Sequence, residues 1–144
     1  MRVLAVDPGD RYIGVAISDQ TGPIANPLTI IKHTSRLIDA ATIAQLSQEN
    51  SARLIIVGAT YDEHGQLTAQ GRRGARLAET IQSQTPLEVK LWDEANSSLA
   101  ALSSRIALGT SRKKRKQRLD DLAATYILQT YLDAHPKDSK TSDG

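Results

Sequence analysis

The segment Met1-Arg-Val-Leu-Ala-Val-Asp7-Pro8-Gly9 decides how the rest of the chain is interpreted. An apolar run ends there in a carboxylate and a Pro-Gly turn, and a second apolar run follows at residues 13–17. Two short runs of this kind around a turn predict a β-hairpin with Asp7 at the end of its first strand. A carboxylate beside a glycine, where a ligand can approach the backbone, suits a hard cation or a phosphate.

Composition restricts the class of protein. A length of 144 residues predicts a single domain, and a hydrophobic content of 40% is sufficient for a core. Because the chain has no Phe and no Cys, the core must be mainly aliphatic, and disulfides and thiolate metal sites are excluded. No apolar stretch approaches membrane-spanning length and no signal peptide precedes the first strand, so we expect a cytoplasmic protein with no membrane partner.

Positive charge is concentrated in one short segment. The net charge is only +2, but residues 112–118 contain six basic residues and no acid, which leaves 12 basic against 16 acidic residues elsewhere. The six are Arg112, Lys113, Lys114, Arg115, Lys116 and Arg118. Such a run suits a polyanion, and a solvated surface loop is the alternative. Arg72 and Arg73, with Arg76, predict a second, smaller basic surface on a helix.

The apolar pattern predicts the element order βββαβαβαα. Three closely spaced runs indicate an antiparallel meander, and the later strands alternate with helices, which favours parallel crossovers and a mixed α/β sheet. The predicted strands are 3–6, 13–17, 27–31, 53–58 and 87–94, and the predicted helices are 35–50, 68–83, 96–108 and 118–132. The basic run is predicted to be a loop. We expect one domain over residues 1–134 and a disordered polar tail over residues 135–144.

Carboxylates recur where predicted strands and helices end or begin. Asp7 and the pair Asp93-Glu94 end strands that would share one sheet edge, the place where open α/β folds bind ligands. Asp120 opens the last predicted helix, where the helix dipole alone would favour an acid. The pair Asp93-Glu94 could equally cap a helix. Three or four carboxylates without cysteine or paired histidines predict an oxygen-ligand site for Mg²⁺ or Mn²⁺, suited to phosphodiester hydrolysis.

The aromatic and imidazole side chains have simpler interpretations. Trp92 could stack on a base, but a core position is favoured on an amphipathic strand. The three histidines, His33, His64 and His135, are isolated in the sequence, and we interpret them as surface residues.

Together these motifs resemble the YqgF/RuvX family over residues 1 to about 133. The matching segments are Val-Asp7-Pro-Gly9, Ile13-Gly14-Val-Ala-Ile-Ser-Asp19, Ile-Ile-Val-Gly58, Leu-Trp-Asp93-Glu94, the Ser-Arg-Lys-Lys-Arg run and Leu119-Asp120-x-Leu-Ala-Ala. The resemblance implies an RNase H-like fold with a five-stranded mixed sheet, related to Holliday junction resolvases. It also implies maturation of the 5′ end of 16S ribosomal RNA in the bacterial cytoplasm.

The resemblance also implies roles for individual residues. Asp7, Glu94 and Asp120 would hold a Mg²⁺ or Mn²⁺ ion, but the sequence does not decide whether Glu94 or Asp93 is the further ligand or water-orienting acid. Asp121 falls where the family usually has another residue. The expected activity is metal-assisted hydrolysis of structured nucleic acid, with pre-rRNA or branched DNA as the partner and the basic run as a phosphate clamp. A monomer or a weak homodimer is expected.

Two loops depart from the family pattern. The family usually continues the fourth strand as Gly-Leu-Pro, whereas this chain has Gly58-Ala59-Thr60. It commonly has Asp-Glu-Arg, whereas here Ala95 and Asn96 follow the two acids. The missing arginine removes a possible phosphate clamp, so we predict a divergent member with altered substrate handling.

Three alternatives remain open at this point. One is a non-catalytic RNA-binding factor of ribosome assembly, which the altered loops favour and the retained acids oppose. Another is a Holliday junction resolvase, which would require two sites and therefore a dimer. A third is an actin-like or sugar-kinase-like ATPase, but 144 residues leave no room for the second domain that such enzymes need.

Overall fold

The computed structural model describes residues 1–20, 23–96 and 112–136, with the backbone alone for residues 96 and 112–121. The strands are β1 (Arg2–Asp7), β2 (Tyr12–Ser18), β3 (Ala25–Lys32), β4 (Ala52–Ala59) and β5 (Glu88–Asp93). The helices are α1 (Arg36–Glu49), α2 (Ala69–Gln82) and α3 (Arg112–Ala134), with a 3₁₀ turn at Glu94–Asn96. Residues 97–108 of one predicted helix and residues 137–144 of the predicted tail lie outside the described residues. Within the described part, no helix is long and apolar enough to span a membrane.

The five strands form one mixed sheet in the order β3-β2-β1-β4-β5. β1 pairs antiparallel with β2, and β2 pairs antiparallel with β3. β4 pairs parallel with β1 on one side and with β5 on the other. The predicted meander followed by parallel crossovers is therefore confirmed.

Apolar side chains fill both faces of the sheet. Leu4 and Val6 of β1 belong to one buried cluster with residues of α1 and α2, such as Ile43 and Leu77. Val3 and Ala5 point to the other face and pack with residues of α3. This alternation follows from the two-residue period of a strand, and it places α1 and α2 on one face and α3 on the other.

Side-chain caps define where α1 and α2 begin. The Ser35 hydroxyl accepts a hydrogen bond from the Ile38 amide at 3.2 Å, and the Thr68 hydroxyl accepts one from the Gly71 amide at 3.1 Å. Serine and threonine at this position satisfy amides that have no partner within the helix. Both caps agree with the predicted bounds of the two helices.

The basic run is helical, so its prediction as a loop was wrong. α3 begins at Arg112 and continues to Ala134. Lys and Arg are good helix formers, and no Gly or Pro interrupts this span, so charge alone was a poor reason to predict a loop. Asp120 consequently lies more than two turns into α3, and the first turn contains no acid. The helix dipole therefore does not explain the presence of Asp120.

Two glycines let α2 approach the end of β4. A Cβ atom at Gly71 would lie 2.2 Å from the Thr60 carbonyl oxygen. A Cβ atom at Gly74 would lie 2.8 Å from the Gly58 carbonyl oxygen and 3.4 Å from Pro8. Cβ atoms are essentially never found this close to a backbone oxygen. α2 can therefore pack against the end of β4 only because residues 71 and 74 are glycines.

We expect Gly71→Ala to destabilise the protein by about 1–3 kcal/mol, because the added methyl group must displace α2 from the backbone of Thr60. Chemical denaturation followed by circular dichroism measures this change. Gln70→Ala alters an exposed position of the same helix and should change stability by less than about 0.5 kcal/mol. Equal effects of the two substitutions would contradict the packing argument.

Candidate active site

The carboxyl ends of three parallel strands meet at one edge of the sheet. Val6 pairs with Val57, and Ala59 pairs with Asp93. Asp7 therefore ends β1 at the same edge where β4 ends beside the acids of β5. The juxtaposition predicted from the strand order is thus confirmed for β1, β4 and β5.

Asp7 and Glu94 are in direct contact. Their side chains share a hydrogen bond, and burial of Glu94 raises the pKa of its carboxyl group above its usual value. The hydrogen bond to Asp7 lowers that pKa in part, and the negative charge of Asp93 raises it. The two carboxyl groups therefore lie within hydrogen-bond reach of each other, in surroundings that disfavour the charged form of Glu94.

Gly58 provides the space that Glu94 occupies. A Cβ atom at Gly58 would lie 2.5 Å from Glu94 Oε1 and 2.9 Å from Ile127 Cδ1. The Glu94 carboxyl group therefore lies over the backbone of β4, between Asp7 and α3. Any larger residue at Gly58 would have to displace Glu94, Ile127 or both.

Asp93 has a different position from Glu94. Its Oδ1 atom accepts a hydrogen bond from the Ala95 amide at 2.9 Å, which closes the turn that follows β5. This is the capping arrangement expected of an aspartate at the start of a helical turn. The sequence did not distinguish the roles of Asp93 and Glu94. In the structure Glu94 contacts Asp7, whereas Asp93 accepts the hydrogen bond that closes the turn.

The backbone of Asp120 lies in α3, on the helix that covers this site. Residue 120 precedes Ile127 by seven positions, so the two share one face of the helix. Ile127 approaches Gly58, and α3 also contacts the turn at Glu94–Asn96. Among the side chains that the structure describes, no three acids or histidines form a group that could hold a metal ion. The side chain of Asp120 is not among them.

The predicted basic residues occupy two helices. Arg73 of α2 forms an ion pair with Asp10 in the β1–β2 turn, and Arg72 donates to the Leu67 carbonyl at 3.0 Å. Both arginines are exposed, on the helix that packs against Pro8 through Gly74. The remaining six lie in the first two turns of α3, where the structure describes the backbone alone: Arg112, Lys113, Lys114, Arg115, Lys116 and Arg118.

The loop that departs from the family pattern is held by local hydrogen bonds. The hydroxyl groups of Thr60 and Thr68 bond to each other, and the Thr68 amide donates to the Thr60 carbonyl at 3.0 Å. Asp62 Oδ1 accepts hydrogen bonds from the amides of His64 at 2.8 Å and Gln66 at 3.0 Å. The replaced residues therefore order the loop between β4 and α2.

Trp92 is a packing residue, as predicted. Its indole N–H donates to the Thr130 hydroxyl at 3.0 Å, and its ring meets Tyr131 edge-on with centroids 5.2 Å apart. His135, interpreted from sequence as a surface residue, is partly buried, and its ring stacks on Tyr131 with centroids 4.2 Å apart. The sequence contains no local signal for this cluster, because its members come from β5 and α3.

Comparison with known proteins agrees with this geometry. The model of the RuvX family, described as Holliday junction resolvase, matches residues 1–134. A protein of Clostridium novyi (strain NT) is 38% identical over 134 residues, which cover 93% of this chain and 99% of that protein. One of Clostridium beijerinckii is 37% identical over 133 residues, covering 92% and 96%. Both are named pre-16S rRNA nuclease.

Solved structures share the fold at low identity. RuvC of Thermus thermophilus superimposes with a TM-score of 0.60 at 12% identity, over 97% of this chain and 99% of that chain. The Fowlpox virus Holliday junction resolvase superimposes with a TM-score of 0.56 at 17% identity, over 93% and 99%. Both comparisons therefore support the RNase H-like fold expected from the sequence. Since the family match extends over nearly the whole described chain, this protein belongs to the RuvX family.

Proposed function

We propose that this chain is a metal-dependent endonuclease that hydrolyses phosphodiester bonds in structured nucleic acid, with the 5′ end of pre-16S rRNA as its substrate. The contact between Asp7 and Glu94 at the carboxyl edge of the sheet carries this proposal. Two acids from distant parts of the sequence meet where ligands bind in folds of this kind. The names of the Clostridium relatives support the choice of substrate.

The residues at this edge fit a hard divalent cation. Their donor set contains only carboxylate oxygens, which Mg²⁺ and Mn²⁺ prefer. A cation bound between Asp7 and Glu94 would offset the burial and the negative charge that raise the pKa of Glu94. Asp7, Glu94 and Asp120 would hold the ion. When bound, the metal would lower the pKa of a water molecule and stabilise the oxygen that leaves phosphorus.

The acidic side chains would have different roles in this reaction. Glu94, pressed against Gly58, is held in one place and can orient a water molecule toward the phosphate. Asp93 acts as a positioning residue, because its hydrogen bond to the Ala95 amide fixes the turn that carries Glu94. Ile127, seven residues after Asp120, packs against Gly58 of β4, and this packing supports the assignment of Asp120 to the same edge.

The basic surfaces fit a polyanionic partner. Positive charge in the first turns of a helix is opposed by the helix dipole, so the run at 112–118 stabilises α3 poorly by itself. A nucleic acid backbone would offset this cost, and the contact would be independent of sequence. Arg72 and Arg73 would extend the surface along α2. The partner is RNA in this proposal, and the protein acts in the cytoplasm.

Resolution of Holliday junctions is the second candidate. The description of the family and the RuvC-like fold favour it. Cutting two strands symmetrically would require two copies of the site, and hence a homodimer in place of a monomer. A purely structural role in ribosome assembly is less well supported, because it does not explain why the half-buried Asp7 and Glu94 are in contact.

Removing either acid should abolish cleavage. Asp7→Asn and Glu94→Gln should each lower the cleavage rate by at least about a hundredfold, since each removes a charge that would hold the metal. The assay follows an RNA hairpin and a four-way DNA junction with Mg²⁺ or Mn²⁺. Glu79→Gln makes the same change on the exposed face of α2 and should have no effect. Unchanged cleavage by Asp7→Asn would contradict the site assignment.

Metal binding at this site should depend on the carboxylate of Glu94. The raised pKa of Glu94 means that the folded metal-free protein loses stability as the pH rises from the usual pKa of a glutamate through the raised value. Glu94→Gln should therefore raise the melting temperature in EDTA at neutral pH. Conversely, Mg²⁺ at about a hundred times its Kd should stabilise the unsubstituted protein by about 2.7 kcal/mol and leave the variant unchanged. Equal Mg²⁺ responses would refute this metal assignment.

Neutralising the start of α3 should weaken binding without affecting the metal. The triple substitution Lys113→Gln, Lys114→Gln and Arg115→Gln should reduce the slope of log K against log salt by about 2–3, because each phosphate contact contributes about 0.7–0.9. Fluorescence anisotropy with a labelled RNA hairpin measures the slope, and Mg²⁺-induced stabilisation serves as the control. An unchanged slope would show that this surface is merely solvated.

A further inference from the structure

A cavity of about 240 Å³ lies beside the β1–β2 turn, on the face of the sheet covered by α1 and α2. Pro8 and Gly9, which directly follow Asp7, form part of its wall. The polar groups in its lining are His33, Arg36, Asp39, Arg73 and Arg76. Three guanidinium groups and an imidazole thus face one space together with a single acid.

A buried carboxylate fixes the imidazole. The Asp39 side chain is only 2% exposed, and its Oδ2 atom lies 2.5 Å from His33 Nδ1. Its Oδ1 atom accepts a hydrogen bond from the Thr34 amide at 3.1 Å. Because a carboxylate can only accept, Nδ1 carries the proton, and Nε2 has no hydrogen bond to any described residue. His33 is exposed, as interpreted from sequence, and its buried partner Asp39 is the part that the sequence did not indicate.

The arginines give the cavity an excess of positive charge. Arg73 is neutralised by Asp10, but Arg36 and Arg76 form no ion pair with any residue that the structure describes. Asp39 is already engaged by His33 and Thr34. Cations brought together in this way repel each other, and an anion that contacts both removes this cost.

We propose that this cavity binds a non-scissile phosphate of the nucleic acid backbone, on the α1–α2 face of the sheet edge whose α3 face carries Asp7 and Glu94. Arginine presents a planar set of donors that matches a phosphate group, and Arg36 and Arg76 are the two arginines of this lining that have no ion pair with a described residue. The short segment Asp7-Pro8-Gly9 connects the two sites, so one strand can follow the turn from the acids to the cavity. The identification of the phosphate as part of a substrate strand rests on the proposed nuclease function.

The test compares two charge-matched variants in binding experiments. Both are made in the full chain with Asp7→Asn and studied in EDTA, so that neither cleavage nor metal contributes. The first carries Arg36→Gln and Arg76→Gln. The control carries Arg53→Gln and Lys90→Gln, which removes two exposed charges from β4 and β5. His33 is retained because its removal would leave the buried Asp39 carboxylate without its partner, which typically costs about 1–3 kcal/mol.

Fluorescence anisotropy with a labelled RNA hairpin and a labelled four-way DNA junction gives affinity as a function of salt. We expect the cavity variant to bind roughly tenfold more weakly and to lose about 0.7–0.9 from the slope of log K against log salt, the value of one phosphate. The control variant should retain the affinity and the salt slope of the protein that carries Asp7→Asn alone. An effect confined to one probe identifies RNA or DNA as the source of the phosphate.

Equal behaviour of the cavity variant and its control with both probes would overturn the inference. A melting temperature measured for each variant separates a loss of binding from a loss of folding. If the unsubstituted protein cleaves neither probe but the cavity variant still shows the reduced slope, the nuclease proposal fails while the phosphate site stands. If cleavage occurs and the slopes are equal, the phosphate site fails alone.

Discussion

Parallel pairing of β4 with both β1 and β5 is the constraint on which the candidate site depends. These ladders bring the carboxyl ends of three strands to one edge, although more than eighty residues separate Asp7 from Glu94. Parallel strands need crossover connections, and the resulting helices cover both faces of the sheet. The acids are therefore placed by the most deeply buried part of the molecule, while the segments around them can vary.

This placement is electrostatically unfavourable, because it brings two carboxyl groups into contact. Two carboxyl groups in contact, one of them raised in pKa by burial, favour a shared proton over two charges. Gly58 increases the effect because it lets Glu94 lie against the backbone of β4. In the proposed function, the charge of a bound cation would offset the repulsion between these two carboxyl groups.

The sheet edge could be predicted from sequence because it depends on strand order and on periodic apolar residues. The distinction between Asp93 and Glu94 could not, since it depends on how the backbone turns after β5 and which carboxylate meets the Ala95 amide. The start of α3 was predicted as a loop because its residues are charged, but Lys and Arg also have high helix propensity. The pair His33 and Asp39 was missed because a polar residue in the first turn of a helix gives no sign of being buried.

The β1–β2 turn separates two regions of opposite charge. On one side Asp7 meets Glu94, and on the other Pro8 and Gly9 border a cavity lined by arginines. The turn must be tight, because a Cβ atom at Gly9 would lie 2.2 Å from the Tyr12 carbonyl oxygen. Acids alone would repel a phosphate backbone, and arginines alone would bind it without positioning a reacting bond. In the proposed nuclease, the arginines on one side of this turn would hold a strand while the acids on the other side would act on a phosphate of the same strand.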